Sequence, residues 1–392
     1  MHYLSHACPT IPAGVQMARF AGHSGVDEYH LIVHPTAYGH IDTQLEWIRR
    51  AYRDALSAIG LDPRTALLRR FFCSDLANQT DALTAQPFSR PDAAADPCAV
   101  SWVEMPSAPP AKVALWANHV NDPAGPLAKT WADATLVWQR ADLAHYWTTG
   151  LVSPDGDVVY DQTRATFEQY DALLKARQLS WSTHVLRTWV FVRSIEANYA
   201  DVVAARREFF CQRGLTPQTH YVASTGIEGA GADPAATVML DAYAVQGIRP
   251  EQIEFLVAPE YLGPTHLYGV TFERGVAIAY RDRRHLIISG TASIDPLGRI
   301  VHPGDVARQL ERTLENIAAL LRAAGAALSD VGVFIVYVRD PGDQLFVSEW
   351  LHAHCGSVPI AVLVAPICRA GWLVEIEGLG VIPATQPDLP AY

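Results

Sequence analysis

VGVFIVYVRDP at residues 331–341 and VLRTWVFVRSI at residues 185–195 are the same line of sequence written twice, with Arg339 lying over Arg193 at an offset of 146. Each is an apolar run rich in β-branched and aromatic residues that stops at an Arg and a turn, the pattern of a buried strand. Working outward, ALLR at 319–322 matches ALLK at 172–175 at an offset of 147, so one residue separates the two registers. A third, more eroded copy precedes them: QLEWIRRAYRDALSAIGLDPRTALLRRFFCSDL (44–76) repeats the order of helix, connection, apolar strand and strand-ending Asp. The copies also close alike, on AKVALWANHV (111–120), ATVMLDAYAV (236–245) and GWLVEIEGLGV (371–381).

Self-similarity at a fixed period describes the architecture before any element is placed. Each copy reads as strands, a long helix with apolar i, i+3, i+4 spacing, a central strand, a second helix and two closing strands. That predicts an α+β chain of three modules with helices on one face of a mixed sheet, bounded at 1–125, 126–250 and 251–392. Pro-rich stretches at 86–98, 105–110 and 121–126 read as surface loops, and 246–264 as the connection between the second and third copies.

The chain has 392 residues, 49% of them hydrophobic, and a formal net charge of −11. That balance offers no basic surface to nucleic acid or to an anionic membrane, so an acidic substrate must be met by a local cluster of Arg. The six cysteines are scattered without a CxxC pair, no secretory leader opens the chain, and no apolar run reaches bilayer length. Together these predict reduced thiols in a cytoplasmic protein. His30 with His34 and His352 with His354 lack a convincing third ligand, and no GxGxxG, GxxxxGK[ST] or GxSxG motif occurs. Neither a metal nor a nucleotide cofactor is expected.

The closing strands carry the first chemical signal. A strand alternates faces, so Glu375 and Glu377 share one side; at the matching places the second copy has Met239 and Asp241, and the first has Ala114 and Trp116. On the central strand Arg187, Trp189, Phe191 and Arg193 share one face, while the other face, with Leu186, Val190 and Val192, belongs under the helices. Arg187 therefore points to where modules meet, as a carboxylate ligand or as a structural ion pair between modules. Arg339 reads as a strand-end structural residue.

The third copy resembles the Rid (YjgF) superfamily along its length, through IISGTASID, RTLENI, AAG, VYVRDP and VEIEG. Within that superfamily the chain is most similar to the chorismatases, through RTWVFV (187–192), NYxxxxxARxxFF (198–210), ASTGIEG (223–229), TFERG (271–275), SGTAS (289–293) and CRAGWLVEIEG (368–378). Rid proteins are typically homotrimers with ligand clefts between subunits, so the resemblance implies a monomeric covalent pseudo-trimer. It also implies an enzyme that releases pyruvate from chorismate and forms 3-hydroxybenzoate, with 4-hydroxybenzoate as a further product. Glu375 is then the proton donor, against the alternative of a strand carboxylate bonded to backbone or Arg. Cys368, seven residues earlier, would govern the fate of the ring, against that of a buried structural thiol. Arg187, Arg206 and Arg369 are the implied carboxylate ligands, Tyr199, Ser224 and Thr225 the implied hydroxyl contacts, and Ala292 would shape the ring pocket; Ser224 also fits an ordinary turn. A Rid imine deaminase would need an Arg fifteen residues before Glu375, where Ile360 stands. A non-catalytic ligand-binding protein, with Glu375 a relic, is the remaining alternative.

Overall fold

A computed structural model describes residues 1–91, 97–154, 156 and 158–392. The first module runs β1 (His2–Ala7), β2 (Ala13–Phe20), β3 (Asp27–Pro35), α1 (Ile41–Ala58), β4 (Ala66–Cys73), α2 (Leu76–Ala85), β5 (Ala99–Glu104) and β6 (Val113–Asn121). The second runs β7 (Ala128–Ala132), β8 (Thr135–Arg140), β9 (Leu143–Val152), α3 (Val159–Ala176), the short α4 (Trp181–His184), β10 (Val185–Val192), α5 (Ile195–Gln212), β11 (Ala223–Glu228) and β12 (Val238–Gln246). The third runs β13 (Ile253–Phe255), β14 (Gly275–Ala279), β15 (Arg283–Ala292), α6 (Val306–Ala323), β16 (Val331–Val338), α7 (Gln344–Cys355), β17 (Ile360–Val364) and β18 (Val374–Pro383).

The three sheets have one topology. Their orders, β1-β2-β3-β6-β4-β5, β7-β8-β9-β12-β10-β11 and β13-β14-β15-β18-β16-β17, place the closing strand third from one end each time. Only the pairs β4–β5, β10–β11 and β16–β17 are parallel. The eroded first copy is thus complete as a fold. The expected 246–264 connection is shorter than it reads, because Ile253–Phe255 pairs with β14 as an edge strand. Of the expected loop at 86–98, residues 92–96 lie outside the described residues.

The helices show why each module folds. Along α6, Leu310, Leu314, Ile317 and Leu321 recur at helical spacing and are all buried, and Asp305 caps its start by accepting from the N–H of Arg308 at 3.0 Å. The sheet face opposite the helices meets the other modules. In β10, Val190 and Val192 pack with Phe167, Tyr170 and Phe209 of the helices, whereas Trp189 and Phe191 join a core shared by all three modules. Isolated bridges join each pair of modules: Glu104 with Ala230, Ser107 with Leu363, and both Ile227 with Ile367 and Ala223 with Glu273. Among the described residues no helix is long and apolar enough to cross a membrane.

Candidate active site

β18 lies between β15 and β16, with Ala292 opposite Glu375 on one side and Tyr337 on the other. The register of β15 against β18 slips between Ile288 and Thr291, so Ser289 and Gly290 form a bulge. A bulge frees backbone groups from the ladder. Here the Ser289 N–H donates to the carbonyl of Arg274 at 3.0 Å, and the Gly290 N–H donates to the hydroxyl of Thr225 at 2.9 Å, across the module boundary. A Cβ at position 290 would run into Glu375 Oε1, so the glycine makes room for the carboxyl.

β11 of the second module packs beside this bulge, its Ser224 N–H donating to Ser289 Oγ at 3.0 Å. The segment leading into β14 runs along it, the Glu273 N–H donating to the carbonyl of Val222 at 3.0 Å. A cavity lies between the two modules. It is lined by Tyr199 and Arg206 of α5, by Ser224, Thr225, Ala292 and Glu375 of the strands, and by Cys368 and Arg369 from the segment before β18, with Cys368 hydrogen-bonded to Tyr199. All but one of the site residues expected from the sequence therefore meet at one place.

The exception is Arg187. It faces the module boundary as its strand period requires, but it does not line this cavity. Its Nη2 is 2.5 Å from Glu377 Oε2 and 2.5 Å from Thr225 Oγ1, and the side chain is 1% exposed. The structure shows the intermodule ion pair that was the alternative for this residue, and does not bring Arg187 to this cavity. Thr225 changes role as well. Its hydroxyl accepts from Arg187 and from Gly290 N and donates to Glu377, so its proton is committed and cannot reach a ligand. Arg339 is structural as expected, donating to the carbonyls of Trp372 at 3.0 Å and Ile367 at 2.6 Å.

Arg274 takes the place that Arg187 leaves. It lies in the cavity wall with Tyr268, Phe272 and Trp372. It donates to the Tyr268 hydroxyl, while among the described residues its Nε has no partner. TFERG contains this residue, and the spacing Arg274–Gly275 before a strand was the only available sign of it. Arg206 donates through Nε to Thr271 Oγ1 at 3.0 Å, and Arg369 lies over the Trp372 ring at 5.1 Å. Among the described residues none of these three guanidinium groups is paired with a carboxylate. The cavity therefore presents three cations against the single acid Glu375.

That acid is 5% exposed. Burial, reinforced by the charge of Glu377 and opposed by Arg187 and Arg274, pushes its pKa up to about 8. It is a carboxylic acid at neutral pH. Burial and the nearness of Glu375 push the Cys368 thiol up to about 12, despite a hydrogen bond to Tyr199 that pulls it down. Cys368 is thus a neutral thiol, unsuited to nucleophilic attack. Burial also drives Tyr199 well above the ordinary phenol value. Ile360, weighed as the deaminase Arg position, lies at a different cleft. By strand pairing its counterpart here is Ser224, opposite Thr188 as Ile360 is opposite Phe334, and that residue is not an Arg either.

A chorismatase of Streptomyces hygroscopicus is 33% identical over 269 residues, which span 63% of this chain and 74% of that relative. The chain belongs to the chorismatase family. A second chorismatase, of Streptomyces rapamycinicus, is 33% identical over 216 residues, 49% of this chain and 63% of the relative. The third module alone matches the family described as Endoribonuclease L-PSP over residues 275–382. A RutC family protein of Pyrococcus horikoshii is 32% identical over 31% of this chain and 90% of its own length. A solved chorismatase structure shares the fold at a TM-score of 0.61 and 22% identity, covering 81% of this chain and 93% of that one. The three-module fold of this chain is thus similar to that of a solved chorismatase.

Proposed function

We propose that the cavity between the second and third modules cleaves chorismate, releasing pyruvate and forming 3-hydroxybenzoate, with 4-hydroxybenzoate as a further product. The observation that carries this reading is a buried Glu375 lining one cavity with three guanidinium groups that, among the described residues, have no carboxylate partner; burial pushes its pKa up to about 8. Chorismate has two carboxylates, and Arg206, Arg274 and Arg369 supply the charge-assisted donors for them. The enolpyruvyl ether needs a proton on its methylene carbon. Glu375 delivers it, leaving an oxocarbenium ion at the ether carbon and a carboxylate on the enzyme.

Water then adds to the oxocarbenium carbon and the hemiketal collapses, giving pyruvate and a ring diol. Loss of one water from that diol yields the hydroxybenzoate, so the net reaction consumes no water. Cys368, beside the ring and away from the ether, influences this second stage. Arg206 and Arg274 keep their charge in a buried cavity and draw a dianion into a protein whose net charge is −11. A Rid-type deaminase reading is weaker, since no Arg stands at the strand position that would hold a small imino acid.

The test is direct. Chorismate added to the purified chain should release pyruvate, followed by lactate dehydrogenase coupling, with chromatography of the aromatic product. Absence of pyruvate from a folded protein would end the reading.

A further inference from the structure

Glu375 and Glu377 point to the same side of β18, yet their surroundings are opposite. Three donors converge on Glu377: Arg187 Nη2 at 2.5 Å, Trp189 Nε1 at 2.8 Å and the hydroxyl of Thr225. Among the described residues no side chain donates to Glu375. Glu377 is 3% exposed and does not line the cavity, whereas Glu375 does. Two carboxyl groups on one face of a dry interior cannot both ionise cheaply, and the hydrogen-bond donors gather on only one of them.

A comparison inside the molecule shows what this arrangement adds to simple packing. Asp241 of β12 stands where Glu377 stands in β18, and it pairs with Arg70 at 2.8 Å. There the carboxylate itself accepts the N–H of the bulge residue Gly150 at 2.7 Å, and the hydroxyl of Ser101, the counterpart of Thr225, has no partner among the described residues. The neighbour of Asp241 on that face is Met239, which needs no tuning. Around Glu375 the longer Glu377 reaches past the bulge, and Thr225 takes over the bulge N–H while adding a donor to Glu377.

Resting on the reading of Glu375 as the acid, we propose that Glu377, clamped by Arg187, Trp189 and Thr225, is a positioning residue that makes Glu375 the proton carrier of the pair. Arg206, Arg369 and Tyr268 line the cavity with Glu375, and the groups that bear on its charge are fewer. Tyr337 stands opposite it on β16, Arg187 reaches from β10, Arg274 comes from the segment before β14, and Cys368 and Tyr199 close the cavity side. The two arginines favour ionisation of Glu375, and Glu377 opposes it. A buried ion pair is seldom kept for stability, because an apolar replacement of similar volume is often as stable.

The experiment follows the kcat of pyruvate release against pH in the wild type, Glu377→Gln and Glu377→Asp, and the protonated-carboxyl C=O stretch by difference infrared spectroscopy. In Glu377→Gln the limb at which activity falls with rising pH should move down by about one pH unit or more, with KM little changed. Glu377→Asp restores the charge and should return the limb toward its wild-type position. An unmoved limb with an equal loss of activity at every pH would show a packing role and overturn the proposal. The wild-type spectrum tests it without any Glu377 variant: the acid band at neutral pH should vanish in Glu375→Gln. Persistence of that band would place the proton elsewhere and overturn the proposal. If the chain does not turn over chorismate, the function fails, while the infrared band still decides which carboxyl holds the proton.

Discussion

Replacing Glu375 by Gln should make the protein more stable relative to the wild type as pH rises, while abolishing its chemistry. The carboxyl has a value of about 8 in the fold against 4.5 when freely solvated. Unfolding lets it ionise, so at any pH between those values the unfolded state gains free energy that the native state forgoes. Because the folded value is raised, the neutral form's contribution is fully present below about 4.5 and is lost as pH rises to about 8. At about 1.4 kcal/mol for each pH unit between the two values, the loss approaches about 5 kcal/mol, comparable with the whole stability of many domains. Gln cannot ionise and escapes it. Urea unfolding followed by Trp fluorescence should therefore show the difference between Glu375→Gln and wild type widening in favour of the variant up to about pH 8, then levelling. A difference that stays constant between pH 5 and pH 8, to within about 0.5 kcal/mol, would refute a buried neutral acid at this position. In the same variant kcat should fall by about 10² to 10⁴ with KM nearly unchanged, since the amide keeps the shape but has no proton to transfer.

The wild-type kcat should fall as pH rises through about 8, where Glu375 loses its proton; a flat profile from pH 6 to pH 9 would contradict its role. Gly290→Ala should cost most of the activity in a folded protein, because the added methyl occupies the position of Glu375 Oε1; normal turnover would show that the carboxyl can move aside. Arg274→Met should lower kcat/KM for chorismate by about 10- to 100-fold, the loss of one charge-assisted contact of about 1.5–3 kcal/mol, whereas Arg339→Met should not, since Arg339 serves backbone carbonyls. Cys368→Ala should release pyruvate at a near-normal rate and shift the aromatic product toward the dihydrodiol, and an unchanged product spectrum would remove the thiol from the ring chemistry.

Much of this was readable in the sequence because it depends on periodicity. The apolar runs at 185–192 and 331–338 fix the central strands, and period two places Trp189 and Arg187 on the axial side. What periodicity cannot show is which partner a side chain finds across a module boundary. Arg187 and Glu377 are 190 residues apart in sequence, and nothing local tells a ligand-binding Arg from one that ends in an ion pair. Arg274 was hidden for the converse reason, since its place in the wall depends on the 265–274 segment lying along β11. The bulge at Ser289 and Gly290 left no composition signal beyond two small residues, although it opens the space for the acid. The edge strand at 253–255 was missed because three residues are too short for a pattern.

The three module boundaries of one chain differ in the acid they carry. Glu375, Met239 and Ala114 are each the second residue of their closing strand, opposite Tyr337, Phe191 and Phe72 on the central strand. Behind them stand Glu377 with Arg187, Asp241 with Arg70, and Trp116 without an acid. The bulge follows the same gradient: it occurs in β15 and β9 but not in β3, which pairs with β6 without a slip. A cleft remains between the third and first modules, yet among the described residues it is lined by Gln16, His34, His352 and apolar or hydroxyl side chains, with neither Arg nor carboxylate. In a symmetric homotrimer every cleft must carry the same residues, so the cost of burying an acid and its cations is incurred three times. Joining the modules in one chain removes that constraint. Each cleft can change alone, and the destabilising carboxyl is confined to the one place where three arginines face it.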